Sequence, residues 1–324
     1  MRQRSLPLGI DIGSTHVRIA AATFGAEGPV VTGVATREIP AGYATSGEIA
    51  EPEYVAALVE QAAEDLHTRE RRCVACVGAP EAVLCAVHLP PMSATRRKRA
   101  ALVQARTHID YLLSNALVII APVYRERSLF ALGVVRKASL QSRLLTLKKA
   151  GMKVIAFDHE ALAFRRVFPN CGTLVDIGHE RSSVHCYGTP IPRTAQVIGG
   201  GAQMTRAIES ELAIDAVSAE KRKCQVGTRG AGDSIQAALI RNLGLSIDSL
   251  REPEHEARGI VLTGNGSRLK GLAAELEAKT GVRIEKPPAR VVSTHAYPIE
   301  VVQANIADWS LALGLSIWGC GSTS

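Results

Sequence analysis

The chain has 324 residues, 46% hydrophobic and 21% charged, enough apolar material for more than one core, so a globular protein of two lobes is expected. Its net charge of +7 is dispersed except at Arg69–Arg72 and Arg96–Arg99, and aromatics are only 4%, which leaves no stacking platform or groove reader and excludes a nucleic-acid partner. The longest apolar runs, Ala116–Val123 and Trp309–Trp318, fall far short of the ~18 to 20 residues of a bilayer span, and Met1–Pro7 is basic without a following apolar run, so a cytoplasmic location is expected.

An apolar strand at Leu8–Gly13 ends in Asp-Ile-Gly and turns through Ser14-Thr15-His16 into strands Val17–Phe24 and Pro29–Ile39. A helix over Pro52–Arg69 follows, with Val55, Leu58, Val59 and Ala62 at helical spacing. Cys73 and Cys76 form a CxxC inside the strand-like run Cys73–Val77, but no second pair lies downstream. Core packing suits them better than zinc or redox use, and the odd total of seven cysteines suits reduced thiols.

Val87–Phe157 reads as an inserted α/β unit: a helix over Ala94–Leu113, strands Leu117–Tyr124 and Leu129–Val135, a helix over Ser139–Ala150 closed by Gly151, and a strand at Val154–Phe157. The opening pattern then recurs. Leu174–Gly178 again ends in Asp-Ile-Gly and turns through His179-Glu180-Arg181 into strands Ser183–Tyr187 and Ile191–Ile198. A helix over Gly201–Leu212 carries Met204, Ala207, Ile208 and Leu212 on one face, and further helix reaches Leu250, interrupted at Gly227–Gly232. A buried strand at Gly259–Thr263 runs into a glycine turn, with Ser267 expected to cap a helix over Arg268–Thr280 that Gly281 ends. Strands then helix, twice over, is an α/β pattern.

Chemistry is expected where the repeated turns meet. Gly13 with the small hydroxyl residues Ser14 and Thr15 lets backbone N–H groups approach phosphate oxygens, and Asp11 at the strand end can hold Mg2+ through water. Asp176 and Gly178 sit equivalently in the second copy, so two facing halves would converge two carboxylates on one metal-bound polyphosphate. Gly264, Asn265 and Gly266 form a turn bare enough for a flat purine. Glu220 and Lys223, at i and i+3, read from spacing alone as a surface ion pair.

The segments GIDIGSTHVRIA, TLVDIGHERSSV and GIVLTGNGSRLKGL, in that order, resemble the phosphate-one, phosphate-two and adenosine motifs of the actin, sugar kinase and DnaK-type chaperone superfamily. Leu89–Ser93, Lys149–Val154, Phe157–Ala163 and Ile198–Gly201 resemble the type IV pilus assembly protein PilM family along nearly the whole chain. The resemblance implies an actin-like ATPase fold of two RNase H-like halves around a nucleotide cleft, with an FtsA/PilM-type inserted subdomain. The implied limits are 1–86 for the first half, 87–157 for the insert, 158–171 for a connecting helix, 172–212 and 213–256 for the second half, and 257–324 for the adenosine motif and last helix.

It further implies ATP and Mg2+ as cofactors. Asp11 and Asp176 would serve the metal, and Gly13, Ser14, Thr15, Arg18, Gly178, Ser182 and Gly200 the phosphates. Glu220 and Lys223 would flank the ribose, and Gly264, Asn265, Gly266 and Arg268 would lie at the adenosine. Glu160 matches the position that orients a water for slow hydrolysis. His179-Glu180-Arg181 departs from the small residues expected there, and a carboxylate in that turn would repel phosphate. The implied partner is a short N-terminal peptide of a PilN-like inner-membrane protein, the only tie to the membrane, with self-association left open. The alternative reading is an FtsA-like polymerising cytoskeletal ATPase. The Asp158-His159-Glu160 neighbourhood is unlike the acceptor-binding pattern of small-molecule kinases.

Overall fold

A computed structural model describes residues 4–26, 28–45, 47–123, 126–251, 259–285, 292–293 and 306–320. Met1–Gln3 and Tyr124, the expected end of a strand, lie outside the described residues.

The first sheet grows from two long antiparallel pairings. β1 (Arg4–Ser5) and β2 (Leu8–Ile12) flank β3 (His16–Gly25), which also pairs with β4 (Gly28–Glu38). After helix α1 (Pro52–Asp65), with Pro52 in its first turn where a missing N–H costs nothing, β5 (Arg72–Cys76) joins β2 in parallel. β2 reads as an apolar run because both its faces are covered. Leu8 and Ile10 pack with Val55, Val59 and Ala62 of α1, while Gly9 faces the other way.

The chain next leaves this sheet. β6 (Ala82–His88), helix α2 (Ala94–Ala105), β7 (Ala116–Pro122) and β8 (Leu129–Arg136) form a separate three-stranded antiparallel sheet, with Ala101 and Ala105 of α2 packed on Phe130, Leu132 and Val134. Helix α3 (Lys137–Lys149) and β9 (Lys153–Asp158) then return to the first half, because Leu147 joins its core and β9 pairs in parallel with β5. The separate sheet therefore spans Ala82–Arg136, earlier at both ends than the Val87–Phe157 expected, and α3 and β9 pack with the first lobe. Expected helices also end sooner, at Ala105 instead of Leu113 and at Asp65 instead of Arg69.

Helix α4 (Glu160–Val167) leads to the second half, where β10 (Thr173–Ile177), β11 (Arg181–Cys186) and β12 (Arg193–Ile198) repeat the meander of β2, β3 and β4. Helices α5 (Gly201–Leu212), α6 (Ala216–Val226) and α7 (Asp233–Leu250) precede β13 (Ile260–Thr263), which joins β10 in parallel as β5 joins β2. Helix α8 (Leu272–Thr280) and β14 (Ile284–Glu285) follow. β15 (Val292–Ser293) crosses back to pair with β4, and helix α9 (Ile306–Ser316) closes the described chain.

The sheet orders β4-β3-β2-β5-β9 and β12-β11-β10-β13-β14 match strand for strand, which accounts for the sequence echo. The expected cap at Ser267 is not found: Asn265–Arg268 is a turn of 3-10 helix, and α8 starts later behind Gly271 in the left-handed region. All seven cysteines are free thiols.

The lobes share a core in which Phe164 and Val167 of α4 and Ala312 and Leu313 of α9 lie among Ala20, Leu174 and Val261. Full burial of a side chain such as Phe164 contributes roughly 1.5 to 3 kcal/mol. A Cβ on Gly9 would stand 1.9 Å from the Ala312 carbonyl oxygen, and one on Gly314 2.1 Å from that of Ala163, so α9 reaches both β2 and α4 only over bare backbone.

Candidate functional site in the interlobe cleft

Both repeated turns close alike. In β2–β3, Asp11 stands opposite Arg18 and the Gly13 N–H donates to the His16 carbonyl at 2.9 Å. In β10–β11, Asp176 stands opposite Ser183 and the Gly178 N–H donates to the Arg181 carbonyl at 3.0 Å. The turns open onto one cleft enclosing about 1040 Å³, part of it open to solvent. Of the expected residues, Asp11, Gly13, Ser14, Thr15, Arg18, Glu160, Asp176, Gly178, Ser182, Gly264 and Asn265 line it.

The others support the cleft from outside its lining. A Cβ on Gly200 would fall 2.5 Å from the Gly178 carbonyl oxygen, and one on Gly266 2.3 Å from the Ile177 side chain, so both are packed against the second turn. Arg268 is paired at 2.7 Å with Asp308, which itself lines the cleft. Lys223 is buried and its Nζ donates to Glu220 at 2.7 Å, Thr205 Oγ1 at 2.8 Å and the Gly201 carbonyl at 3.0 Å. Glu220 and Lys223 therefore clamp α6 onto the start of α5, a firmer bond than the surface pair their spacing suggested.

Three partly buried carboxyls line the cleft together. Burial raises the Asp11 carboxyl above its usual range, while Arg18, 3.8 Å away, and Arg143 counter the rise. Burial lifts Asp176 to about 6; the Thr263 hydroxyl, donating at 2.9 Å, opposes this and the charge of Asp11 adds to it. Glu160 is pushed furthest, to about 8, first by burial and then by the charges of Asp176 and Asp11, against bonds from the Ala79 N–H and the Ser183 hydroxyl. Packing allows it little room, since a Cβ on Gly78 would lie 2.3 Å from Glu160 Oε2.

Glu160 does not cap α4. His159 does, its Nδ1 accepting from the Ala161 N–H at 3.2 Å, which frees the Glu160 side chain for the cleft. Glu180 lines the cleft beside the second turn, and Arg181 donates to Gln196 Oε1 at 3.2 Å.

Several residues in the lining or buried directly behind it escape a reading by motif. Ser183 lies 2.9 Å from His185 Nε2, and His185 approaches Glu160 at 3.8 Å. Burial drives the His185 imidazole down to about 3, so it is neutral and this approach is not an ion pair. Gln196 donates to the Ala79 carbonyl at 2.9 Å and Arg18 to Asn265 Oδ1 at 2.8 Å, two bonds that bridge the lobes. Arg143 arrives from α3, its position unmarked by any motif. Ser183 alone had a usable signal, as the register partner of Asp176 in a hairpin. Pooled in one cleft, carboxyls, guanidinium groups and glycine turns suit a polyanion carrying a divalent cation.

The family model described as type IV pilus assembly protein PilM matches residues 9–319. The chain belongs to the PilM family. A solved PilM-PilN type IV pilus biogenesis complex is similar at TM-score 0.84 and 22% identity, covering 98% of this chain and 99% of that one. The ethanolamine utilization protein EutJ from Carboxydothermus hydrogenoformans follows at TM-score 0.60 and 13% identity, over 97% and 90%. No curated protein sequence matches. The PilM-family chain thus has the actin-like ATPase fold expected from its motifs. No helix among the described residues is long and apolar enough to cross a membrane.

Proposed function

We propose that this PilM-family chain binds ATP with Mg2+ in the interlobe cleft and acts as a cytoplasmic scaffold at the inner membrane face. It would hold a short N-terminal peptide of a PilN-like protein during assembly of a type IV pilus or a related machine. The observation that carries the reading is the pair of Asp-Gly hairpins, in equal register, meeting at Glu160.

The residues fit the cofactor. Burial raises the proton affinity of both Asp11 and Asp176, and the charge of Asp11 adds to the rise at Asp176, a cost that a divalent cation would relieve. Gly264 has φ +77°, and a Cβ there would meet Asp176 Oδ1 at 2.8 Å, so bare backbone is kept beside the carboxylate. Asp11 and Asp176 would hold the metal, and the turns at Gly13 and Gly178 with Arg18 would hold phosphate. Bound Mg2+ supplies charge neutralisation at the phosphates.

Glu160 would orient the attacking water and take its proton. With its carboxyl pushed up to about 8 it is a weak base near neutral pH, and turnover would be slow. Lys223 and Glu220 would act on the ribose only at a distance, by fixing the start of α5.

The partner reading is supported by the likeness to a structure that contains PilN. The peptide would lie between the first half and the separate sheet at Ala82–Arg136. Fluorescence anisotropy with a labelled N-terminal peptide of a PilN-like protein, with and without Mg2+ and ATP, tests it. A saturable one-to-one complex is expected. Absence of that complex, together with filaments that pellet on ATP addition, would overturn it in favour of an FtsA-like polymer.

A further inference from the structure

Helix α2 carries its cations where a helix tolerates them least. Arg96, Arg97, Lys98 and Arg99 crowd its first turns, with no acidic residue in the first turn, and the N-terminal end of a helix is the positive end of its dipole. Ser93 caps it by accepting from the Arg96 N–H, which satisfies one donor but adds no negative charge. Only Arg97 turns inward, its guanidinium 5.1 Å from the centre of the Phe130 ring. Among the described residues, no salt bridge engages Arg96, Lys98, Arg99 or Arg106. No salt bridge within the described fold offsets these charges.

The outward face has a second property. Ala101 and Ala105 point into the core, which turns Arg96, Arg99, Val103 and Arg106, at i, i+3, i+7 and i+10, to solvent with Leu102 alongside. Val103 is 65% exposed and Leu102 42%. Two bare aliphatic side chains thus sit inside a ring of cations. The face is the outside of a helix, and neither the interlobe cleft nor the small pocket at Gly172–Arg251 takes a residue from α2. A convex strip without a groove does not grip an extended peptide. It suits a flat anionic surface, where every cation reaches phosphate at once and the aliphatic tips enter the interfacial layer.

We propose that this face of α2 docks directly on an anionic phospholipid bilayer. The contact stands apart from the proposed nucleotide cleft, which takes no residue from α2. Each cation brought to an anionic leaflet strengthens binding on the order of five-fold, and salt screens the effect.

Co-sedimentation of the full chain, without nucleotide or peptide, tests the assignment with vesicles of phosphatidylcholine alone and of phosphatidylcholine and phosphatidylglycerol in equal parts. Binding is expected only to the anionic vesicles and should fall as salt is raised. The triple variant Arg96→Gln, Arg99→Gln, Arg106→Gln should lose on the order of a hundred-fold in partitioning. Its Tm should stay close to the parent's, because Arg96→Gln and Arg99→Gln relieve the N-terminus of α2 while Arg106→Gln removes a cation from its C-cap. Val103→Ser with Leu102→Ser should weaken binding while keeping its salt dependence. Equal binding to both vesicle types, no binding to either, or a triple variant that binds as the parent does would overturn the proposal. So would binding to polyglutamate, abolished in the triple variant, without binding to anionic vesicles, an outcome that assigns the face to an acidic polypeptide.

Discussion

Asp11 and Asp176 hold the same position in two copies of one hairpin: each lies two residues before a glycine whose N–H closes the turn, opposite Arg18 in one lobe and Ser183 in the other. That equivalence brings two carboxyls from distant parts of the sequence to one cleft, and the raised proton affinity of both follows from burial there.

The third carboxyl sets a pH dependence. A buried carboxyl whose folded pKa lies above its unfolded one contributes most below the unfolded value, and that contribution is lost as pH rises through the folded value. For Glu160 the window runs from about 4.5 to about 8. Glu160→Gln removes the cost of burying the anion, so its Tm should match the parent near the acid end and exceed it above pH 8. The gain should be about 2 to 4 kcal/mol, read from thermal melts across pH. ATP turnover should fall in the same variant.

Gly264→Ala places a methyl group 2.5 Å from the Ile177 carbonyl oxygen, at a φ of +77° that disfavours any side chain. A loss of about 1 to 3 kcal/mol is expected in urea titration, with weakened nucleotide binding in the protein that remains folded.

Lys223→Met separates a structural clamp from a ligand contact. It leaves Glu220, Thr205 and the Gly201 carbonyl without their shared donor, at a cost of about 2 to 4 kcal/mol in chemical denaturation. A variant as stable as the parent but weaker only for ATP would place Lys223 on the ribose instead.

Gly9→Ala tests the seam between the lobes. Its methyl group would stand 1.9 Å from the Ala312 carbonyl oxygen, so β2 or α9 must move, and a loss of at least about 3 kcal/mol or insoluble expression is expected. Gly133→Ala is the matched control. It too replaces a strand glycine whose φ is not positive, but its methyl group would meet nothing nearer than Ile119 Cβ at 3.9 Å, so its effect should stay within about 1 kcal/mol.

How far the sequence could be read depended on whether a feature was local. The repeated Asp-Ile-Gly turns were legible because a strand, a tight turn and a second strand are written in consecutive residues, and α5 matches its expected span of Gly201–Leu212. The ends of the separate sheet were not legible, because α3 and β9 follow β8 without a break and only pairing with β5 shows which sheet claims them. Ser267 has the composition of a cap, but Lys270-Gly271 makes the turn that starts α8. In the cleft, the turn residues were found by motif. Arg143 in the lining and His185, buried behind Ser183, were not, since a helix and a strand interior deliver them and burial, not spacing, gives them their character.

Titration calorimetry of ATP into the chain, with Mg2+ and then with a chelator, measured on the parent and on Asp176→Asn, tests the shared cleft most directly. The account predicts one site per chain, affinity that depends on Mg2+, and a loss on the order of ten- to hundred-fold in the variant, which keeps the side chain's size and removes its charge. No heat of binding in the parent, or equal affinity in both proteins, would contradict it.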